Sequence, residues 1–289
     1  MISRIAIGTV QFGLSYGVAN RTGQVSNSDA ANILASARGW GVDTLDTAAG
    51  YGQSETVLGQ LGLAGWKVVT KLPRLPAGVR CDQWAEQECS NSARRLGVER
   101  LHGVMLHHVG DLLGPDGRSL FSALVRLRSS GLANKIGYSV YSPGELEALA
   151  AEYPPDIVQV PLNVFDQRFV TSGWLSRLSE AGVEIHTRSA FLQGLLLLDA
   201  SDRPSKFSRW ADHFAKWDRW CEATGGDRVR AALSCPLALE QVDRVVVGMD
   251  SLEQFAQIMA AVTGADGAVH SELACQDEIL LNPSNWINL

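Results

Sequence analysis

No two of the five cysteines are spaced as C-x-x-C, and their number is odd: Cys81, Cys89, Cys221, Cys235 and Cys275. A chain of 289 residues builds a core without covalent staples, so reduced thiols are expected rather than a disulfide frame or a thiolate metal site. Long apolar runs are also missing. The longest run of leucine, Leu195 to Leu198, falls far short of the ~20 residues that a membrane-spanning helix needs. The opening MISRIAIGTVQFG has neither an extended apolar stretch nor a small-residue cleavage site, so a cytoplasmic protein is expected. Basic blocks are lacking too: 25 Lys+Arg stand against 31 Asp+Glu, a net charge of −6, without the clustered cations of a nucleic-acid binder.

Several signature motifs are absent. There is no G-x-x-x-x-G-K-[ST] and no G-x-G-x-x-G; Gly50-Tyr51-Gly52 is followed by Gln53-Ser54-Glu55, without a third glycine. H-E-x-x-H, H-x-H and the G-x-S-x-G elbow do not occur. His102 and His108 share one strand parity and His107 has the other, so the three cannot converge on a metal. No metal is expected. No Pro/Gly/Ser-rich linker divides the chain, and nothing specifies an oligomeric state.

What is present is alternation. Apolar residues make up 46% of the chain and charged ones 19%, enough to build a large core. Strand-like runs occur at Arg4–Ile7, Val42–Asp46, Lys67–Thr70, Gly103–Leu106, Asn134–Tyr138, Ile157–Val160, Val183–His186 and Arg244–Val247. Between them lie helix-like stretches at Ser28–Arg38, Asp82–Leu96, Leu120–Ser129, Pro143–Glu152, Val170–Ala181 and Leu252–Ala261. Asn27 or Ser28 is expected to cap the first, and Ser142 to cap the helix opened by Pro143. Eight such units predict an α/β protein, a (β/α)8 TIM barrel in a single domain over 1–289, with a doubly wound sheet as the rival.

One segment, about 195–226, is too long for a simple connection. Its Trp210, Phe214, Trp217 and Trp220 at helical spacing read first as core and second as a loop or helical lid. The stretch Asn282–Trp286 reads as a cover for the barrel mouth or a patch on its outside.

Chemistry in such a barrel gathers where strands end at the C-terminal face. Asp46, Lys71 and His107 lie at three successive strand ends, and Tyr51 lies on the short loop after the first. Each has an ordinary reading alone: a cap, a strand end in solvent, a packing aromatic. Together they make a proton donor. A phenol titrates near 10; a neighbouring ammonium is expected to lower that, a carboxylate holds the ammonium, and a neutral imidazole orients a substrate oxygen. Such a set suits protonating a carbonyl oxygen as hydride reaches its carbon, or the reverse reaction.

These residues resemble the aldo-keto reductase superfamily. The strongest stretch is L-D-T-A-A-G-Y-G-Q-S-E from Leu45 to Glu55, joined by Thr70-Lys71 and Leu106-His107-His108, and the similarity runs from Gly8-Thr9 to Gly248. The resemblance implies that Tyr51 is the general acid, that Asp46 and Lys71 tune it, and that His107 orients the carbonyl. It also implies an extended NAD(P)H on the C-terminal face, NADP(H) favoured over NAD(H). The implied cofactor contacts are Gly8, Thr9, Asp46, Ser139, Gln159, Arg188, Ser189, Phe191, Gln193, Gly194, Gly248, Ser251 and Gln254. Val140 stands where the family commonly has asparagine, and Arg188 where it often stacks a tyrosine on the nicotinamide. Arg188 and Arg244 are the basic residues nearest in sequence to the phosphate loop, where Asp250 and Glu253 add negative charge.

The implied substrate walls are Val10, Phe12, Tyr16, Tyr51, His107, His108, Asn163 and Phe165. Their mixed polarity points to a hydroxylated, carbohydrate-like aldehyde or ketone, interconverted with its alcohol. Two rivals share these residues: a nicotinamide-binding regulatory subunit that senses redox state with little turnover, and an isomerase or lyase that uses the same acid and base without hydride.

Overall fold

In the computed structural model, which describes residues 2–264 and 267–289, eight parallel strands close into a barrel. They are β1 (Ile5–Gly8), β2 (Thr44–Asp46), β3 (Lys67–Leu72), β4 (Leu101–Leu106), β5 (Ala133–Ser139), β6 (Ile157–Pro161), β7 (Glu184–Arg188) and β8 (Arg244–Val247). Each pairs with the next, and β8 returns to β1 with Val247 opposite Ile7. All eight expected strands form, with ends moved by a residue or two. The rival doubly wound sheet is excluded because the ring is closed.

Twelve α-helices lie among the described residues: α1 (Val10–Gly13), α2 (Asn27–Gly39), α3 (Ser54–Leu61), α4 (Cys81–Leu96), α5 (Gly117–Ser129), α6 (Pro143–Leu149), α7 (Arg168–Thr171), α8 (Trp174–Glu180), α9 (Ala211–Ala223), α10 (Arg228–Ala238), α11 (Leu252–Thr263) and α12 (Glu278–Leu281). None is long and apolar enough to cross a membrane.

Local chemistry sets the helix ends. The cap of α2 is Ser26, one residue before the expected Asn27 or Ser28; its Oγ accepts from the Asp29 amide at 3.1 Å. Ser142 caps α6 as expected, and Glu145 reaches back to accept from the Ser142 amide at 3.2 Å. The single helix expected over Val170–Ala181 is instead two, α7 and α8. Gly173, at φ 76°, takes the left-handed conformation that ends the first.

The main core lies between the strands and the helix ring, where Ile7, Leu45, Val104, Ile136 and Phe255 are fully buried. A second small cluster, Val69, Met105 and Ile157, packs apart from it. Gly103 leaves these three their space, since a Cβ there would meet Val69 and Ile157 at 3.3–3.4 Å. Side chains two residues on share a strand face, so Lys71, His107 and Gln159 extend the same inward rows toward the C-terminal rim.

All five cysteines are free and buried. Burial pushes the thiols of Cys89, Cys221 and Cys235 up to about 12. In the long segment after β7 the aromatics join the core: Phe214 and Trp217 flank Phe165 at ring centroids of 5.5 and 6.1 Å, and Trp217 Nε1 donates to the Leu196 carbonyl at 2.9 Å. The C-terminal Trp286 packs edge-on against Phe207 at 4.9 Å.

Candidate active site

The short loop after β2 carries Tyr51, and close backbone packing fixes it. The Tyr51 amide donates to the Ala48 carbonyl and the Tyr51 carbonyl accepts from the Ser54 amide, both at 3.0 Å. Beneath this turn lies Gly13 of α1, where a Cβ would sit 1.8 Å from the Tyr51 carbonyl oxygen; no other residue fits. Ser54 and Glu55 anchor the loop's far side. Ser54 Oγ donates to the Thr9 carbonyl at 2.8 Å, and Thr9 Oγ1 donates to the Asp46 carbonyl at 2.9 Å. The buried Glu55 carboxylate accepts from Thr70 Oγ1 at 2.6 Å and from Arg95 Nε at 2.7 Å. Sequence reading assigned no role to Gly13 or to the Ser54 and Glu55 anchors.

Within this frame the four titratable groups meet. Lys71 Nζ lies 2.6 and 2.8 Å from the two Asp46 oxygens and 3.1 Å from the Thr47 carbonyl, with both side chains almost fully buried. Gln159 Nε2 donates to Asp46 Oδ2 at 2.7 Å. Lys71 Nζ is 5.2 Å from the centre of the Tyr51 ring, and His107 meets that ring edge-on at 5.8 Å.

The electrostatics depart from expectation at one point. Burial, reinforced by the Asp46 carboxylate, pushes the Tyr51 phenol well above its ordinary 10, and Arg188 pulls it partly back. The phenol stays raised although Lys71 lies beside it, because burial is the largest influence and outweighs the pull of the nearby cations. Burial also lowers Lys71 itself, against the pull of Asp46. His107 is pushed down to about 3 by burial, with Lys71, His108 and Arg188 adding to it. The site therefore holds a protonated phenol beside a neutral imidazole.

Both face a cavity of about 1020 Å³, slightly above the ~300–1000 Å³ usual for small-molecule sites. It runs over the C-terminal rim from Tyr51, His107 and Tyr141 to Val229, Gln257 and Ala260 on α10 and α11. Of the residues named as cofactor contacts, Gly8, Thr9, Asp46, Gln159, Arg188, Ser189, Phe191, Gln193, Gly194, Gly248 and Gln254 line it, together with Val10 and Tyr16.

Other expected contacts lie elsewhere. Ser251 caps α11, accepting from the Gln254 amide at 3.1 Å, and Ser139 sits behind Arg188, whose Nε reaches its Oγ at 3.4 Å. Phe12 and Phe165 are core residues without exposure. Asn163 is buried too: it donates to the Ser189 carbonyl at 3.0 Å and accepts from the Phe165 and Asp166 amides at 2.9 Å, bracing the loop after β7. His108 is exposed and packs beside His107, 5.3 Å between ring centres, outside the cavity wall. Arg244 stands at the opposite end of β8, where it pairs with Asp43 at 3.3 Å. The cation on the far cavity wall is Arg228, at the start of α10; its distance in sequence from the phosphate loop hid it.

The loop after β7 is strained. Ser189, Leu192 and Gln193 have φ of 64°, 48° and 55°, a region that costs residues with side chains about 1–3 kcal/mol each. Packing from the β1 loop holds it in place: the Val18 amide donates to the Gln193 carbonyl and Gln193 Nε2 to Tyr16 Oη, each at 2.9 Å. Gln11 Oε1 is buried on the cavity wall without a hydrogen-bond partner, as expected of a wall shaped for a polar ligand. Among the described residues no group of His, Cys, Asp or Glu is placed to hold a metal ion.

Comparison with known proteins agrees with this geometry. The aldo/keto reductase family model matches residues 4–266. Among solved structures, aldo-keto reductase AKR11C1 from Bacillus halodurans in its holo form superposes with a TM-score of 0.72 at 18% identity, over 93% of this chain and 94% of that one. The Pseudomonas aeruginosa protein PA4992, described as an aldo-keto reductase, gives 0.66 at 21% identity, over 89% and 88%. At these identities the likeness is one of fold. No curated protein sequence matches at a significant level. With the family model spanning both the barrel and its tyrosine loop, the chain belongs to the aldo/keto reductase family of oxidoreductases.

Proposed function

We propose that the protein interconverts an aldehyde or ketone and its alcohol with a nicotinamide cofactor, Tyr51 acting as the general acid and base. The observation that carries this reading is the protonated Tyr51 phenol and neutral His107 imidazole side by side at the floor of one long cavity. The cavity suits a dinucleotide in its length over the rim, from Tyr51 to α11, and Gln11 offers an unpaired amide oxygen on its wall. A reduced nicotinamide, when bound, supplies the hydride.

The chain's own residues do the rest. Tyr51 Oη gives its proton to the carbonyl oxygen as negative charge develops there. His107, neutral at ordinary pH, donates a hydrogen bond to that oxygen and fixes its direction. Asp46 and Lys71, locked together and steadied by Gln159, hold a fixed ion pair beside the tyrosine, and the Asp46 carboxylate helps to keep the phenol protonated. Of the two cofactor forms we take NADP(H) as the tighter ligand, the form that the family resemblance favours; Arg228 on the far wall is already paired with Asp218 and Asp199, and Asp250 there works against it. A hydroxylated, carbohydrate-like carbonyl compound remains the substrate class that the polar wall suits.

The test is a titration of the protein with NADPH and with NADH, followed by quenching of its tryptophan fluorescence. Saturable binding in the micromolar range is expected, tighter for NADPH. If neither nucleotide binds at several hundred micromolar, the hydride-transfer reading fails.

A further inference from the structure

Two arginines, Arg188 and Arg228, line the cavity. Arg228 is neutralised by Asp218 at 2.7 Å and Asp199 at 3.4 Å. Arg188 differs. It is only partly exposed, and no carboxylate of the described residues pairs with it. Its contacts are the Val140 carbonyl at 3.1 Å, Ser189 Oγ at 3.3 Å, Ser139 Oγ at 3.4 Å and the Tyr141 ring, whose centre lies 4.3 Å from the guanidinium carbon. These neutral groups aim the side chain and leave its charge unbalanced. Asp46 does not help, because Lys71 and Gln159 already occupy it.

The position of this charge is telling. Arg188 lies at the reacting end of the cavity, where its field reaches Tyr51, His107 and Lys71. A recessed charge without a counter-ion is costly to keep. A guanidinium has five donors in a flat fork, and the fork matches a carboxylate at two points. Three of those donors are used by weak neutral contacts, which leaves two unspent on a side chain that lines the cavity.

We infer that Arg188 is a substrate-recognition residue that binds a carboxylate carried by the carbonyl substrate, so that the preferred substrates are oxo acids rather than neutral aldehydes or ketones. This rests on the carbonyl-reducing reading above and narrows it. A guanidinium placed only to stack on the cofactor ring would act on nucleotide binding and be indifferent to the substrate's charge.

The probes are 4-carboxybenzaldehyde and its methyl ester, which share one reacting carbonyl and differ in the distant charge. Equilibrium binding of each to the full chain is measured by fluorescence, alone and with saturating nicotinamide nucleotide, and kcat/KM is then measured for both. The wild type is expected to favour the acid at least tenfold in affinity and in kcat/KM. Arg188→Gln brings that ratio close to one, and Arg188→Lys restores part of it. Equal handling of acid and ester by the wild type overturns the inference, as does an acid preference that survives in Arg188→Gln. Loss of nucleotide affinity in Arg188→Gln with the acid-to-ester ratio unchanged overturns it in favour of a cofactor role. Failure of both nucleotides to bind the wild type counts against the hydride-transfer reading instead, and the binding ratio of the two probes still decides the role of Arg188.

Discussion

The two ends of the barrel both carry a carboxylate in contact with a lysine, yet they are built for different ends. At the C-terminal rim Asp46 has one cation, Lys71, and one amide, Gln159, and the assembly opens onto the cavity. At the opposite rim Glu184 of β7 is crowded by three partners. His102 Nε2 lies 3.0 Å from both of its oxygens, His186 Nε2 2.7 Å from one, and Lys135 Nζ closes on the other. None of these four lines the cavity. Burial drives the Glu184 carboxyl upward, but the hydrogen bonds from His102, His186 and Lys135 outweigh it and hold the group well below the usual carboxylate range. A charge cluster away from the cavity ties strands β4, β5 and β7 together. A similar cluster with a phenol and an imidazole beside open space can do chemistry. Placement against the cavity, rather than residue type, separates the two.

That contrast can be broken most severely at the rim that faces the cavity. Tyr51→Phe removes the proton donor and nothing that packs, so turnover should fall by about 10²–10⁴ while thermal stability and nucleotide affinity hold. Wild-type turnover in this variant would remove Tyr51 from the mechanism.

Glu184→Gln tests the other rim. Removing the charge from this part-buried cluster weakens its charge-assisted hydrogen bonds and costs about 1–3 kcal/mol, which should appear as a fall in Tm, with kcat near wild type below the transition. If activity collapses with stability intact, the division between the ends is wrong.

The smallest effect is one of pH, and it tells the ends apart. His107 has its folded value lowered to about 3, so the unfolded chain binds the proton first, and stability declines as pH falls from about 6.5 toward 3. Glu184 is lowered as well, so its stabilisation is full above about 4.3 and drains away only below that. In denaturation curves the second limb should be missing from Glu184→Gln and the first retained. With the phenol raised by burial and the imidazole neutral, kcat for reduction should stay flat from about pH 5 to 9. Oxidation, which needs the phenolate, should climb with pH.

Much of this was legible in the chain. Strand-length apolar runs alternating with amphipathic stretches gave the barrel, and Asp46, Lys71 and His107 could be placed because each marks the end of a run. What failed to show was contact between segments far apart in sequence. Gly13 looks like any loop glycine until the Tyr51 turn is laid on it. Arg228 reaches the cavity from a helix whose start carries no mark of a site. Asn163 is among the implied substrate walls, yet its amide is consumed by the backbone of neighbouring loops. The Glu184 cluster was overlooked for a related reason: polar residues alternating within a short strand look like solvent-facing positions until the ring closes over them. The phenol's shift was misjudged in sign, because the depth of its burial, which outweighs the pull of nearby cations, is set by the closed barrel and not by its neighbours in sequence.

The thiols described with the fold bear on what this cavity can tolerate. Aldehydes are electrophiles, trapped by thiolates as hemithioacetals and by amines as imines. At pH 7 a thiol whose value has risen to about 12 is ionised in only about one molecule in 10⁵, and the residues lining the cavity include no cysteine and no lysine. Lys71, the nearest amine, is sealed behind Asp46. A reactive carbonyl compound held there meets phenol, imidazole and guanidinium, and no group with which it could form a lasting adduct.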